Sequence, residues 1–302
     1  MSALFSRNEA GGDYCIEQKN QNLLMRTLQS SEITAAVRRL AMSASCDLEP
    51  DILDSLLAAR DREKSPLAKN ALEILVTNAN IASREQIPVC QDTGIGVVFV
   101  RIGQGVRVEG NLEQAIQEGI RAGYADGYLR KSVCDPVTRK NTGTNVPAVV
   151  HFDVVPGDRL HIGFLPKGCG SENMSGLVML PPSAGMTGVE DYVVQKVKDA
   201  GSNPCPPVVV GIGLGGTFEK AALLAKKSLM RPLGNPNPDE RVAEIEKRIL
   251  QRINQEGQGV MGWGGVNTAL AVHMETYPTH IASLPVAVNI QCHAHRHKEI
   301  EL

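Results

Sequence analysis

Three consecutive valines, Val208-Val209-Val210, run into the glycine turn Gly211-Ile212-Gly213-Leu214-Gly215-Gly216. A segment with apolar residues at helical spacing follows, Phe218 to Lys227. A buried strand, a tight turn and a helix in that order need a layered α/β arrangement, because the strand is apolar on both faces and the helix on one. The same interleaving holds along most of the chain. Ile33, Val37 and Leu40 predict a helix, as do Ile52, Leu53, Leu56 and Leu57. Ser65-Pro66 is an N-cap and first-turn pair opening a third helix through Leu72, Leu75, Val76 and Ala79.

Gly96 to Ile102 is a β-branched run, and Leu112 to Tyr128 is helical in period. Ala148 to Val155 and Leu160 to Leu165 flank Pro156-Gly157-Asp158 and predict a hairpin. Thr187 with Glu190 forms a capping box for a helix carrying Val189, Val193 and Val197, and Val242, Ile245, Ile249 and Ile253 mark a long amphipathic helix. Val260 to Glu275 repeats the pattern of a glycine-rich turn feeding a helix. The expected fold class is mixed α/β: N-terminal helices, then mixed or antiparallel sheet elements covered by helices. Residues 1–30 lack sustained periodicity and are expected to form an arm or extra helix on a domain spanning 31–302.

Composition excludes several classes of function. Hydrophobic residues make up 42% of the 302 and charged residues 21%, as in an ordinary globular protein, and no run reaches the ~18 apolar residues of a membrane span. The net charge of −2 with no basic block disfavours nucleic acid as a partner. The N-terminal MSALFSRNEAGGDY has neither an apolar leader core nor transit-peptide character, so a cytoplasmic location is expected. The seven cysteines are an odd number, thinly spread, which suits reduced thiols rather than a disulfide framework.

Gly211-x-Gly213-x-x-Gly216 after a strand and before a helix is the dinucleotide-binding fingerprint, and taken alone it suggests an NAD-dependent oxidoreductase. That motif needs a second apolar strand ending in an acidic residue. The chain instead continues as RPLGNPNPDERVAEIEK, Arg231 to Lys247. Close packing of strand, turn and helix explains the same glycines.

Four polar segments combine residue types that a core would not select. They are Pro88 to Gly94 (PVCQDTG), Arg139 to Pro147 (RKNTGTNVP), Pro166 to Asn173 (PKGCGSEN) and Asn203 to Pro207 (NPCPP); a further cysteine, Cys292, ends an apolar run. Cys15, Cys46 and Cys134 suit small buried apolar positions. Cys90, Cys205 and Cys292 sit at strand boundaries beside Pro or polar turn residues, where sulfur atoms can converge. Their spacing matches no zinc-ribbon or ferredoxin pattern, though three thiolates can hold a cubane that leaves one iron open. A non-catalytic zinc module using cysteines and the C-terminal histidines is the bland alternative. His293, His295 and His297 alternate in a short charged tail that reads as a solvated extension.

VCQDTG, NTGTNVP, PKGCGSEN and CPPVVVGIGLGGT together resemble the class I fumarase and L-tartrate dehydratase family, specifically the alpha subunit of its two-subunit members, over about residues 30 to 297. The resemblance implies an iron-sulfur hydro-lyase. Its 4Fe-4S cluster would be held by Cys90, Cys205 and Cys292, with one iron not ligated by protein and free to bind substrate. Cys169 stands where relatives often have glycine and is not among the implied ligands. The substrate contacts carry over onto Gln91, Asp92, Arg130 and Gly170, and the catalytic positions onto Asp92 and His280. His280 stands twelve residues before the third cysteine, within Tyr277-Pro278-Thr279-His280-Ile281 instead of the frequent Arg-His-Gly. On the residues alone, Asp92 is equally a turn cap, His280 a loop histidine and Arg130 a solvated charge.

The resemblance further implies a beta subunit completing the site, since single-chain relatives draw a threonine base and further Arg and Lys clamps from a C-terminal domain. A small dicarboxylate substrate and a hetero-oligomer with two alpha chains follow from the same likeness. TRKNTGTN, GCGSENMS and GGTFEKAALLAKK lean toward reversible hydration of fumarate to malate, with L-tartrate dehydration as the alternative.

Overall fold

A computed structural model describes residues 25–302. Residues 1–24, and with them Cys15 and most of the expected arm, lie outside the described residues. Strand β1 (Arg26–Gln29) pairs in parallel with β3 (Val106–Glu109), and α1 (Ser30–Cys46) follows without a gap. Then come α2 (Pro50–Arg62) and α3 (Pro66–Glu85); the Ser65 side chain caps α3 by accepting the Ala68 N–H, as Ser65-Pro66 predicts.

Two four-stranded sheets organise the rest, so the mixed α/β reading holds. The first has the order β10–β5–β2–β4, from β2 (Ile95–Gly103), β4 (Val149–Val155), β5 (Leu160–Lys167) and β10 (Lys298–Glu301). The predicted hairpin is therefore not formed. β2 lies between β4 and β5, parallel to the first and antiparallel to the second, so Pro156-Gly157-Asp158 arches over its end. Helix α4 (Leu112–Asp126) packs on α1 through Gly119 and Gly123, where a Cβ would come within 2.7 Å of Val37 and 2.8 Å of Ala41. Together the two helices bury one face of this sheet around Ile33, Val98, Ile120, Ile162 and Phe164.

The second sheet has the order β6–β9–β7–β8, from β6 (Gly176–Leu180), β7 (Val208–Gly215), β8 (Ala269–Tyr277) and β9 (Leu284–Gln291). Helices α6 (Gly185–Ala200) and α8 (Glu240–Glu256) cover it with Val193, Val197, Ile249 and Ile253. Thr187 and Glu190 fall inside α6, which starts at Gly185 with no side-chain cap, so the capping-box reading is corrected. Helix α7 (Phe218–Ser228) lies on β7; between them came the glycine motif. A Cβ on Gly213 would sit 1.9 Å from the Ala221 carbonyl oxygen, and one on Gly211 2.2 Å from that of Ala225. These glycines belong to the strand and serve helix contact.

The second glycine turn feeds β8, not the expected helix. Its apolar run is short and buried, a case in which periodicity cannot separate strand from helix. The C-terminal tail is also corrected. His295 and His297 are buried, and β10 beyond them is the edge strand of the first sheet, closed by hydrogen bonds in both directions between Leu160 and Leu302. A small cluster including Val97, Phe99, Leu165, Val209, Leu229 and Ala271 joins the two sheets. No helix of the described residues is long and apolar enough to cross a membrane.

Candidate active site

Four chain segments meet where the two sheets approach. Cys90 precedes β2 on a loop held from behind: the Val89 N–H donates to Ser45 O of α1 at 3.0 Å, and Asn78 Nδ2 of α3 donates to Val89 O at 2.8 Å. Cys205 precedes β7 and Cys292 follows β9. Because β7 and β9 are antiparallel, with Val209 opposite Gln291, both thiols emerge at the same end of the second sheet. The N–H of His293 donates to the carbonyl of Cys205 at 3.4 Å, fastening these two loops together. Cys205 takes a left-handed backbone, φ 54°, which is costly for a residue with a Cβ and marks sites where neighbours over-determine the chain.

The loop of Cys90 is pressed onto the turn after β5. Asp92 Oδ1 accepts the Gly94 N–H at 2.9 Å and Asp92 Oδ2 the Cys169 N–H at 2.8 Å. Gly94, at φ +75°, leaves no space for a side chain: a Cβ would lie 2.7 Å from the Lys167 backbone. Gly170 opens the four-residue helix α5 (Cys169–Glu172) toward the carbonyl of Asn203, two residues before Cys205. Arg130 joins from a third direction, since Thr93 Oγ1 donates to its carbonyl at 2.9 Å. Buried Asn145 bridges that segment to the site loop, accepting from Ser132 N at 2.6 Å and donating to Gly94 O at 3.1 Å.

The structure thus brings together Cys90, Gln91, Asp92, Gly170, Cys205 and Cys292, with the backbone of Arg130 held to the same loop through Thr93. It does not bring His280 to them. His280 follows β8 at the far end of the second sheet, exposed, with its Nδ1 accepting the Ala282 N–H at 3.1 Å, beside a cleft of about 520 Å³ lined by Thr217, Lys220 and Tyr277. The eight residues of β7 separate the two ends by roughly 25 Å. Cys134 is half-buried in a bridge to Asn141, unlike the fully buried position expected, whereas Cys46 is buried as expected.

Electrostatics point to a thiol centre. Burial pushes the Cys205 thiol up, and the charges of Cys292 and Cys90 add to the effect. The Cys292 thiol is raised by burial in the same way and is opposed by Arg296 and Lys167. Cys205 therefore lies within reach of both Cys90 and Cys292, and Cys292 within reach of Cys90. Among the described residues no three His, Cys, Asp or Glu side chains close around a point as a single metal ion requires. A cubane, with irons at separate corners, suits more widely set thiols, and three half-buried cysteines where the two sheets approach match that donor set.

Sequence reasoning missed two buried cations behind these loops. Lys167 is fully buried, with Nζ donating to Ser171 Oγ at 2.8 Å and paired with Glu172 at 3.2 Å. Burial pulls its pKa down to about 8, against the pull of Glu172. Burial works to raise the Glu172 carboxyl, but Lys167 and Lys226 outweigh it and hold the group below its usual value. The second cation is Arg296, four residues beyond Cys292 in the tail read as solvated. No local pattern in His293-Ala294-His295-Arg296-His297 signals its burial, because Ala294 to His297 are buried in succession outside any strand.

The sequence profile of the fumarate hydratase (Fumerase) family matches residues 34–301, nearly the whole described chain. The chain belongs to that family. Within the family, it is 41% identical over 272 residues to the "Putative L(+)-tartrate dehydratase subunit alpha" of Methanocaldococcus jannaschii, covering 88% of this chain and 95% of the relative. It is 32% identical over 271 residues to the L(+)-tartrate dehydratase subunit alpha of Escherichia coli, covering 88% and 89%. The subunit of the same name from Shigella sonnei is 31% identical over 273 residues, with the same coverage. The relatives' names match the tartrate alternative better than the fumarate preference drawn from local motifs. Membership in this family of hydro-lyases also sets aside the oxidoreductase reading of the glycine motif.

Proposed function

We propose that the chain is the alpha subunit of a hydro-lyase of the L(+)-tartrate dehydratase type, and that Cys90, Cys205 and Cys292 hold a 4Fe-4S cluster with one iron free of protein ligands. The convergence of these three thiols with Gln91 and Gly170, beside the segment that carries Arg130, supports the reading. Removing water from a 2-hydroxy dicarboxylate means breaking a C–O bond, taking a proton from the adjacent carbon and holding two carboxylates still. When bound, such a cluster supplies a Lewis-acid iron for the departing hydroxyl.

The chain's own residues perform the positioning. Arg130 grips a carboxylate through its guanidinium fork, the Gln91 amide donates to another oxygen, and the Gly170 backbone N–H reaches the substrate where no side chain intervenes. Asp92 has one lone pair on each oxygen committed to a backbone N–H, so its first task is holding the Cys90 loop against the Cys169 turn. His280 is left out of this assignment. None of Gln91, Arg130 and Gly170 can accept the carbon-bound proton, and we assign the base to a beta subunit, in keeping with the relatives' designation as alpha subunits.

The test is anaerobic co-expression with a candidate beta subunit from the neighbouring gene, followed by iron analysis and assay with L-tartrate, malate and fumarate. Turnover of tartrate in excess over malate is the expected result. Hydration of fumarate in preference to any tartrate turnover favours the second reading, to which the family's description points. A complex that lacks iron and turns over none of the three overturns the assignment.

A further inference from the structure

Arg296 is 1% exposed, and its Nη2 donates to the backbone oxygen of Asp92 at 2.8 Å. Its Nε and Nη1 have no hydrogen-bond partner, and among the described residues no carboxylate lies within 4 Å of it. A guanidinium does not give up its proton at any ordinary pH, so it cannot escape burial by becoming neutral, as a lysine can. A buried, permanent, unpaired cation is among the costliest features a fold can carry. Something negative belongs beside it.

The local candidates narrow quickly. The Asp92 carboxylate is turned to Gly94 and Cys169. Glu172 is engaged by Lys167, Lys226 and Asn289. The remaining negative charge is the one that Cys90, Cys205 and Cys292 would carry as cluster ligands. Arg296 stands four residues beyond Cys292 and also touches the opposite side of the site: a Cβ on Gly168 would lie 3.5 Å from Nη2. It therefore stands between the Asp92 loop, the Gly168 turn and the Cys292 loop. Hydrogen bonds to sulfur and local net charge are what tune an iron-sulfur centre.

We propose that Arg296 is the resident counter-ion of the three-cysteine centre and that it governs how firmly the centre keeps its iron. The inference rests on the assignment of Cys90, Cys205 and Cys292 as cluster ligands. Lys167 does not fill the role, because Glu172 and Ser171 already take its ammonium. Arg296 is a positioning group, acting on the centre and not on substrate.

The experiment uses the complex reconstituted anaerobically with iron and sulfide, as wild type, Arg296→Gln and Arg296→Lys. It measures iron and sulfide per chain and the rate at which a ferrous chelator strips the iron. The thermal midpoint of each metal-free protein is recorded alongside. Arg296→Gln should lose iron at least about tenfold faster than wild type, and Arg296→Lys, which keeps the charge but not the fork, about two- to fivefold faster. The exposed-pair variant Arg84→Gln should match wild type. Where Arg296→Gln does not fold, Arg296→Lys decides the matter alone. A folded Arg296 variant with the wild-type rate of iron loss overturns the proposal, even if its metal-free thermal midpoint is lowered, since that combination marks a purely structural arginine. A wild-type protein that takes up no iron-sulfur cluster overturns the ligand assignment instead.

Discussion

Asp92 Oδ2 accepts the backbone N–H of Cys169 at 2.8 Å, a bond between residues 77 positions apart that fixes the Cys90 loop against the turn after β5. The other oxygen of the same carboxylate closes its own turn on Gly94. One side chain thus sets the distance between a thiol loop and the backbone amides of α5. Site geometry depends on it more than on any regular element.

Serine in place of Cys90, Cys205 or Cys292 should abolish cluster assembly, because each removes one of the three proposed cysteine ligands. Cys46→Ser should leave iron content unchanged, since Cys46 is buried in α1. Iron analysis of the four reconstituted variants checks this; equal iron in all sinks the ligand assignment.

Arg130→Ala should raise KM for the dicarboxylate by about 30- to 800-fold, the loss of roughly 2 to 4 kcal/mol from a bidentate charge-assisted contact. Stability should barely change, as the Arg130 side chain is exposed and only its carbonyl holds Thr93. Kinetics of the complex with and without the substitution give the answer, and an unchanged KM contradicts the clamp.

Two glycines should respond in opposite ways to alanine. Gly213→Ala forces a methyl to 1.9 Å from the Ala221 oxygen, so it should cost about 3 kcal/mol or more and lower expression. Gly170→Ala meets nothing nearer than 3.6 Å, so its thermal midpoint should be near wild type while substrate affinity falls. A Gly170→Ala enzyme with normal KM removes that residue from the substrate contacts.

The buried histidines predict acid sensitivity. Burial, with Arg231 next in effect, pulls His273 down to about 4 from 6.5; burial lowers His295 and His297 in the same direction. Below pH 6.5 the unfolded chain takes up protons that the folded chain refuses, so stability is lost as pH falls from about 6.5 toward 4. For His273 the loss approaches about 1.4 kcal/mol per pH unit, and His295 and His297 add to it in the same direction. Chemical denaturation at pH 7.5, 6.5 and 5.5 should show a flat upper step and a steep lower one. Equal stability at all three would exclude the effect.

Much of the architecture was legible in local pattern: the helices at Ile33, Ile52 and Leu72, the strand at Gly96 to Ile102, and the valine strand with its helix. What failed was non-local. Pro156-Gly157-Asp158 is a sound hairpin turn, but nothing near it reveals that β2, from some 50 residues upstream, separates the two strands. The charge of the tail His293 to Leu302 reads as solvated, whereas Lys298 to Glu301 pair as an edge strand and Ala294 to His297 are buried in succession ahead of it. The site loops were found because their residues are ill suited to a core. Arg296 was not, because a buried arginine is visible only once its surroundings are known. His280 was placed by a spacing, and spacing along a chain does not say on which end of a sheet a residue falls.

The order in which the site's parts occur along the chain bears on how it is made. Cys90 emerges from the ribosome about 200 residues before Cys292, and at ~5 to 20 residues per second that is an interval of roughly 10 to 40 s. During it the first thiol loop has α1 and α3 behind it, but neither the β9 thiol nor the β10 edge that completes its sheet. On the proposed ligand set, metal loading would wait for Cys292, and Cys90 would stand as a lone ligand until Cys205 emerges 115 residues later.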